Sequence, residues 1–175
     1  MAENKTSSKP LLLLCITSLL FLCFLTYGRT LHYYFNGMDT FPLLLIGKIQ
    51  SFGDVFGIFS SSLGGGFPFG SYYRPIAELF YGIDYLVWEA TPYGYHLTNI
   101  FLHLGNTILV FFVAYNAFQG TKREIFWAWL SAILFLLSPV NIDAVYSIER
   151  RQDMVAGFFL LLCFLSLIKS QRSEV

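Results

Sequence analysis

The residues best suited to chemistry form a charged cluster between two apolar runs, in the segment SPVNIDAVYSIERRQDM (138–154). The cluster contains Asp143, Glu149, Arg150, Arg151 and Asp153. The planar guanidinium group of arginine suits a phosphate or pyrophosphate, and carboxylates suit Mg²⁺, Mn²⁺ or a sugar hydroxyl. A site for a phosphorylated ligand therefore competes with a plainer interpretation, a solvated loop in which Asp153 caps the following helix and neighbours an arginine.

A second group of polar side chains lies at helical spacing in GYHLTNIFLH (94–103). His96, Asn99 and His103 occupy positions i, i+3 and i+7, which share one face of a helix. Polar groups within a membrane span normally face protein or water. We therefore expect Asn99 and His103 to make hydrogen bonds between helices. His96, nearer the end of the helix, is the member of the group that can reach a site.

Asp39, in NGMDTFPLL (36–44), is the third candidate. It follows the first apolar run of the chain closely enough for its carboxylate to meet a lipid-borne head group at the membrane surface. A single aspartate before an apolar segment is also a common helix N-cap, and the residues alone favour that structural interpretation.

The elements that position these residues are expected to be membrane helices. Of the 175 residues, 55% are hydrophobic and only 13% are charged, far from the composition of a soluble domain. Basic and acidic side chains number 11 each, so the net charge gives no argument for a nucleic-acid partner. The three cysteines all lie in apolar runs without ligand-like spacing, and we expect them to fill space as small hydrophobic side chains.

Hydropathy predicts an all-α membrane protein, with about four transmembrane helices in a single membrane domain over residues 1–175. The predicted spans cover residues 10–28, 95–118, 123–139 and 153–169. A signal peptide is the alternative for the first run. We interpret it as a span because it is longer than the usual signal-peptide core, and because TYGRT lacks a small-x-small cleavage pattern.

Residues 29–91 form a long first loop, in which two amphipathic helices are expected at the membrane interface, at 43–59 and 75–90. The second of these helices starts at a proline and carries three acids, too many for a lipid-exposed span. A second loop, 140–152, joins the third and fourth spans and contains most of the charged cluster.

Four spans place both termini on the same side of the membrane. The basic residues that flank the spans then share that side: Lys5, Lys9, Lys122, Arg123, Lys169 and Arg172. By the positive-inside bias this side is the cytoplasm, and the loops 29–91 and 140–152 are extracytoplasmic. The expected location is a bacterial inner membrane or the endoplasmic reticulum.

Three sequence elements, in this order, resemble the membrane domain of the GT-C glycosyltransferases. They are YRPI (73–76), GYHLTNIFLH (94–103), and SPVNIDAV followed by RRQDMVAG (138–157). The resemblance is strongest to the O-mannosyltransferase-like group, many members of which carry tetratricopeptide repeats. It covers the chain from about Asp39 onward, although Ser138 and Asn141 stand where that group has histidines, and Met38 stands where a second acid is common.

The resemblance implies transfer of a hexose such as mannose from a polyprenyl-phosphate donor to an acceptor hydroxyl on the extracytoplasmic side. Asp39 occupies the position of the catalytic acid of that group. It would act as the general base, or help to hold Mn²⁺ or Mg²⁺ if the reaction uses a metal. Contacts with the donor phosphate or the acceptor are then expected from Arg74, His96, Asp143, Arg150, Arg151 and Asp153.

Enzymes of this group contain more spans than the four predicted here. We therefore expect the chain to form the N-terminal portion of such an enzyme, with the rest of the site supplied by a second chain or by self-association. The alternative is a non-catalytic membrane subunit or remnant that scaffolds or binds a lipid-linked sugar. A transporter is disfavoured, because no predicted span carries an acid in its interior and no inverted repeat is visible.

Overall fold

The computed structural model describes residues 8–35, 37, 40, 42–43, 49, 51–63 and 71–173. Its α-helices are α1 (Ser8–Tyr27), α2 (Phe52–Ser60), α3 (Pro75–Trp88), α4 (Pro92–Ala117), α5 (Glu124–Leu136), α6 (Pro139–Tyr146) and α7 (Arg151–Ser173). Short 3-10 helices cover Gly28–His32 and Ile148–Arg150. No β-strand occurs in the described ranges, and the prediction of an all-α membrane protein is confirmed.

Three helical segments are long and apolar enough to cross a membrane: Lys9–His32, Pro92–Ala117 and Ile148–Gln171. A fourth candidate consists of α5 and α6, which meet at an angle of 56°. The bend lies at Ser138–Pro139, where proline lacks the N–H of a continuous helix and its ring restricts the preceding residue. The protein is thus multi-pass, with four spans if the bent pair forms one.

The described residues divide between two compact units. The first contains Met1–Gly28, Ile100–Ile142 and Gly157–Val175. In it α1 and α5 run parallel: the Trp129 indole donates a hydrogen bond to the Ser18 hydroxyl over 2.9 Å, and the Tyr27 hydroxyl donates to the Leu136 carbonyl over 2.8 Å. The alanines 128 and 132 of α5 are fully buried, and such small side chains allow membrane helices to approach closely.

The second unit contains Arg29–Asn99 and Asp143–Ala156. Its apolar core contains Phe35, Leu43, Leu63, Ala77, Tyr81, Tyr95 and Ile148, with Trp88 packed against it. Helix α2 begins with a capping box, in which the Asp54 carboxylate accepts the Ser51 N–H over 2.7 Å. Helix α3 begins at Pro75, a position where proline fits because the missing N–H has no partner within the helix.

Helices α2 and α3 occupy part of the segments predicted as interfacial helices. Residues 44–48 and 50, which belong to the first segment, lie outside the described residues. Both helices leave large apolar side chains exposed, among them Phe56 on α2 and Leu86 and Val87 on α3. The buried face of α3 instead carries the acids Glu78 and Asp84. Apolar side chains facing outward and acids facing inward are typical of a helix whose outer face meets lipid.

Gly94 marks a close approach between the end of α3 and the start of α4. A Cβ atom added at this position would overlap the indole of Trp88. Gly57 in α2 provides a contrast, because an added Cβ there would meet nothing within 4 Å. The close approach explains why the first turn of α4 carries a residue without a side chain.

We predict that Gly94→Ala lowers the stability of the protein by about 1–3 kcal/mol, the usual penalty of overpacking, because the Trp88 indole must move. The same substitution at Gly57 should leave stability unchanged or raise it by up to about 1 kcal/mol, because alanine favours a helix over glycine. Thermal unfolding in detergent, followed by tryptophan fluorescence, compares the two variants. Equal unfolding temperatures would contradict the close approach at Gly94.

Candidate functional site

Arg151, the first residue of α7, is fully buried in the second unit. Its Nη1 lies 2.7 Å from Oδ2 of Asp84. Its Nε donates a hydrogen bond to Oδ1 of Asn99 over 2.9 Å, and its Nη2 donates to the Tyr95 carbonyl over 3.0 Å. The guanidinium also lies over the ring of Tyr81, 4.7 Å from its centroid. Every nitrogen of Arg151 therefore has a partner, as a buried cation requires.

Asp84 supplies the opposite charge and is itself held in place. The Thr98 hydroxyl donates a hydrogen bond to Oδ1 of Asp84 over 2.6 Å. Burial raises the pKa of the Asp84 carboxyl, while the Arg151 guanidinium and the Thr98 hydroxyl oppose that rise because they stabilise the carboxylate. The short distance between Asp84 and Arg151 is that of a charge-assisted hydrogen bond between ionised groups.

The same network fixes the backbone that precedes α7. The amide of Asn99 donates to the carbonyls of Val145 and Ser147 over 3.3 and 3.2 Å. Burial raises the pKa of Tyr81 to about 12, so its hydroxyl stays protonated at neutral pH and donates to the Ile148 carbonyl over 2.8 Å. These bonds hold residues 145–148, which lead directly into Glu149 and Arg150.

A polar cavity of about 280 Å³ lies in the second unit, next to this fixed backbone. It is lined by Leu43, Leu63, Tyr72, Arg74, Ala77, Tyr81, Glu149, Arg150 and Gln152. Two cations, one anion and one amide therefore share a cavity with apolar and tyrosine walls. Such a combination suits a ligand that carries both a phosphate and hydroxyl groups.

The two arginines of the cavity are exposed, unlike Arg151. The Arg150 Nε lies 3.1 Å from Oδ2 of Asp143, with both side chains more than half exposed. The Arg74 guanidinium lies over the ring of Tyr72, 4.8 Å from its centroid. An exposed pair is only weakly stabilising, so Arg150 can exchange the carboxylate of Asp143 for a ligand phosphate at small cost.

Glu149 connects the cavity with the described residues Gly37 and Thr40. The Thr40 hydroxyl donates a hydrogen bond to Oε1 of Glu149 over 3.1 Å. A Cβ atom added at Gly37 would overlap the Glu149 carboxylate. The residue that directly follows Asp39 in the sequence is thus bonded to a side chain that lines the cavity.

The structure brings together two of the residues predicted to contact donor or acceptor, Arg74 and Arg150. Asp143 pairs with Arg150 beside them. Arg151 was also predicted to contact a phosphate. In the structure its guanidinium is instead buried and bound by protein groups.

Two further described candidates, His96 and Asp153, do not line the cavity. His96 is fully buried in α4, and Asp153 is exposed in the first turn of α7. Asp39, the predicted catalytic and metal-binding acid, lies outside the described residues. Where the structure describes the chain, it contains no group of three or more His, Cys, Asp or Glu side chains that could hold a metal ion.

Sequence reasoning missed the role of Asp84, which it took as one of several acids on an interfacial helix. The spacing of residues along α3 did indicate a buried position for Asp84. Ala77, Tyr81 and Asp84 occupy positions i, i+4 and i+7, so the acid lies on the same helix face as two core residues. An acid on the buried face of an apolar helix indicates a buried cation as its partner.

The chain is similar to protein O-mannosyl-transferases over about half of its length. It is 36% identical to human protein O-mannosyl-transferase TMTC4 over 112 residues, which are 58% of this chain and 15% of that protein. It is 32% identical to mouse TMTC2 over 97 residues, or 55% of this chain and 11% of TMTC2. It is 33% identical to Tmtc1 of Drosophila melanogaster over 94 residues, or 54% of this chain and 10% of Tmtc1. No protein-family model and no solved structure matches the chain.

We predict that Asp84→Asn lowers the free energy of unfolding by about 3–5 kcal/mol, because it leaves the Arg151 guanidinium buried without a counter-charge. The matched control is Asp143→Asn, which removes the exposed partner of the neighbouring Arg150 and should cost less than about 1 kcal/mol. Unfolding temperatures in detergent measure the difference. Similar losses in the two variants would contradict a structural role for the buried pair, and Asp84→Leu/Arg151→Met should recover much of the lost stability.

Proposed function

We propose that this chain forms part of a membrane mannosyltransferase, and that the polar cavity of its second unit receives the phosphate and sugar of a polyprenyl-phosphate mannose. The observation that carries the proposal is that Arg74 and Arg150 line the same cavity. Both arginines belong to sequence elements that resemble the O-mannosyltransferase-like group, YRPI and RRQD. The similarity to proteins named protein O-mannosyl-transferases supports mannose as the hexose.

The charges of the cavity suit the donor. Two guanidinium groups can bind the phosphate through charge-assisted hydrogen bonds. The Glu149 carboxylate can accept a hydrogen bond from a sugar hydroxyl, with Tyr72 and Tyr81 as flat walls for the apolar face of the ring. The apolar side chains exposed on α2 and α3 fit a second unit that lies at the lipid surface, where the polyprenyl chain of the donor remains.

In the proposed reaction the acceptor oxygen attacks C1 of the mannosyl group. The bond between C1 and the phosphate oxygen breaks, and its electron pair leaves with the phosphate. Arg74 and Arg150 stabilise the negative charge that develops on the leaving phosphate. Asp39 takes the proton of the acceptor hydroxyl as general base.

The proposed location is the endoplasmic reticulum, with both termini cytoplasmic and the cavity on the luminal side. The basic residues that flank the spans support this orientation through the positive-inside bias. Further spans that complete the site are proposed to come from the same polypeptide or a second chain, because the chain aligns with 15% or less of the length of each relative named above.

We predict that Arg74→Gln and Arg150→Gln each weaken binding of polyprenyl-phosphate mannose by roughly tenfold or more, the effect of losing one charge-assisted hydrogen bond. Binding is measured on the full chain in nanodiscs with a short-chain donor analogue. Arg29→Gln is the control, because Arg29 is an exposed arginine of the second unit that does not line the cavity. If all three variants bind the donor as the wild type does, the cavity is not the donor site.

A separate prediction concerns Asp39. Asp39→Asn should lower the rate of mannose transfer to hydroxyl acceptors or water by about 100-fold or more, because general-base catalysis contributes at least that factor. Donor binding should stay unchanged. Asp54→Asn, in the same loop but engaged in the cap of α2, is the control.

The same assay, applied to the wild-type chain, distinguishes an enzyme from a non-catalytic subunit. Transfer that depends on Asp39 supports the catalytic proposal. Donor binding that depends on Arg74 and Arg150 without any transfer would favour a non-catalytic subunit that binds a lipid-linked sugar. Transfer at the wild-type rate by Asp39→Asn would exclude Asp39 as the base.

A further inference from the structure

The first unit contains a second cavity, which the proposed reaction does not use. It has a volume of about 340 Å³ and lies between α1 and α5. Its walls include Leu11, Leu14 and Cys15 of α1 and Ile125, Phe126 and Trp129 of α5. A volume of this size falls in the range of small-molecule sites, which begins at about 300 Å³. The two helices therefore leave room for an occupant between their N-terminal halves.

The polar atoms of this cavity are already satisfied. The Ser18 hydroxyl accepts a hydrogen bond from the Trp129 indole over 2.9 Å and donates one to the Cys15 carbonyl over 2.7 Å. The remaining lining consists of apolar side chains and the thiol of Cys15. Such a cavity offers nothing to a polar molecule and suits a hydrocarbon chain.

Basic side chains lie at the end of the helices where the cavity is found. Because α1 and α5 are parallel, their N-termini are at the same end of the unit. Lys9 precedes the lining residue Leu11 by two positions, which is about 3 Å along the helix axis. Lys122 and Arg123 directly precede α5, and all three basic side chains are exposed.

One acid, Glu124, lies among these bases. Its carboxylate accepts the backbone N–H of Gly120 over 2.9 Å, within the turn that leads into α5. In the part of the chain that the structure describes, three cations and one anion give this end of the two helices a positive charge. Basic residues at the cytoplasmic ends of transmembrane helices are a common feature of sites for acidic lipid head groups.

The geometry points to a binding site for one acidic phospholipid on the first unit. An acyl chain occupies the apolar cavity between α1 and α5, and the lipid phosphate lies between Lys9 and Lys122. Charge complementarity selects an acidic lipid over a zwitterionic one, because the lysines meet an uncompensated negative charge only in the acidic head group. With both termini cytoplasmic, as proposed above, the site faces the cytoplasmic leaflet.

The test is native mass spectrometry of the purified full chain, titrated with palmitoyl-oleoyl phosphatidylglycerol or with the corresponding phosphatidylcholine. The wild type should bind the acidic lipid about 25-fold more tightly than the zwitterionic lipid, since each of the two lysines near the head group contributes about fivefold. Equal binding of the two lipids would overturn the proposal.

Lysine variants locate the head group. Lys9→Gln/Lys122→Gln should weaken binding of phosphatidylglycerol by about tenfold or more, without an effect on phosphatidylcholine. The control is Lys169→Gln/Arg172→Gln, a double variant at the C-terminal end of α7. If the control loses as much affinity as the test variant, the attraction is a general surface effect and the site does not exist. The three lysines changed are exposed, so their substitution should not disturb folding.

A pair of tryptophan variants locates the acyl chain. Leu13 and Leu14 are each 64% exposed, but only Leu14 lines the cavity. Leu14→Trp should fill the cavity and weaken binding of both lipids, whereas Leu13→Trp should bind them as the wild type does. Equal affinities in these two variants would show that the acyl chain lies elsewhere. Should Leu14→Trp fail to fold, the lysine variants decide the question alone.

Discussion

The buried ion pair between Arg151 and Asp84 is the interaction on which the second unit depends. Removing both charges from water costs several kcal/mol per ion, and this cost is offset only when all remaining polar atoms find partners. Asn99, Thr98 and the Tyr95 carbonyl supply those partners, and all three belong to the first turns of α4. The pair thus joins α3, α4 and the start of α7 at one point. Apolar packing alone, which is non-directional, would not select this arrangement.

The ion pair also explains how neighbouring arginines take different roles. Arg151 is buried and bound to protein groups in the interior. Arg150, the preceding residue, ends a 3-10 helix and lines the polar cavity. Consecutive residues on a helical turn point in different directions, so a buried anchor can hold its neighbour in a fixed position without touching a ligand. The hydrogen bonds from Asn99 and Tyr81 to the preceding carbonyls add to that rigidity. A rigid backbone is what a phosphate site needs, since it reduces the entropy lost on binding.

Hydropathy predicted the all-α membrane class correctly, because in a membrane each spanning segment must be apolar along its own length. The bend at Pro139 follows from local chemistry in the same way. The partners of the charged residues were not predicted, because Arg151 and Asp84 are far apart in sequence and many acids compete for each arginine. Residues 138–154 were predicted as a candidate site from their residue types, but type alone could not place Arg151 in the interior and Arg150 at the cavity. The spacing of residues on α3 indicated the buried position of Asp84, whereas Arg74 was predicted only through the resemblance of YRPI to the O-mannosyltransferase-like group.

The two units accommodate polar side chains within an apolar chain in different ways. In the first unit, single hydrogen bonds such as those of Tyr27 and His103 to the Leu136 carbonyl satisfy isolated groups between closely packed helices. In the second unit, the charged side chains of Glu78, Asp84 and Arg151 are buried, and large apolar side chains are exposed on α2 and α3. The proposed function requires the second arrangement, because a lipid-linked phosphate would bring a charge to the membrane surface while its tail remains in hydrocarbon. Cations held against an apolar surface meet both demands of such a substrate.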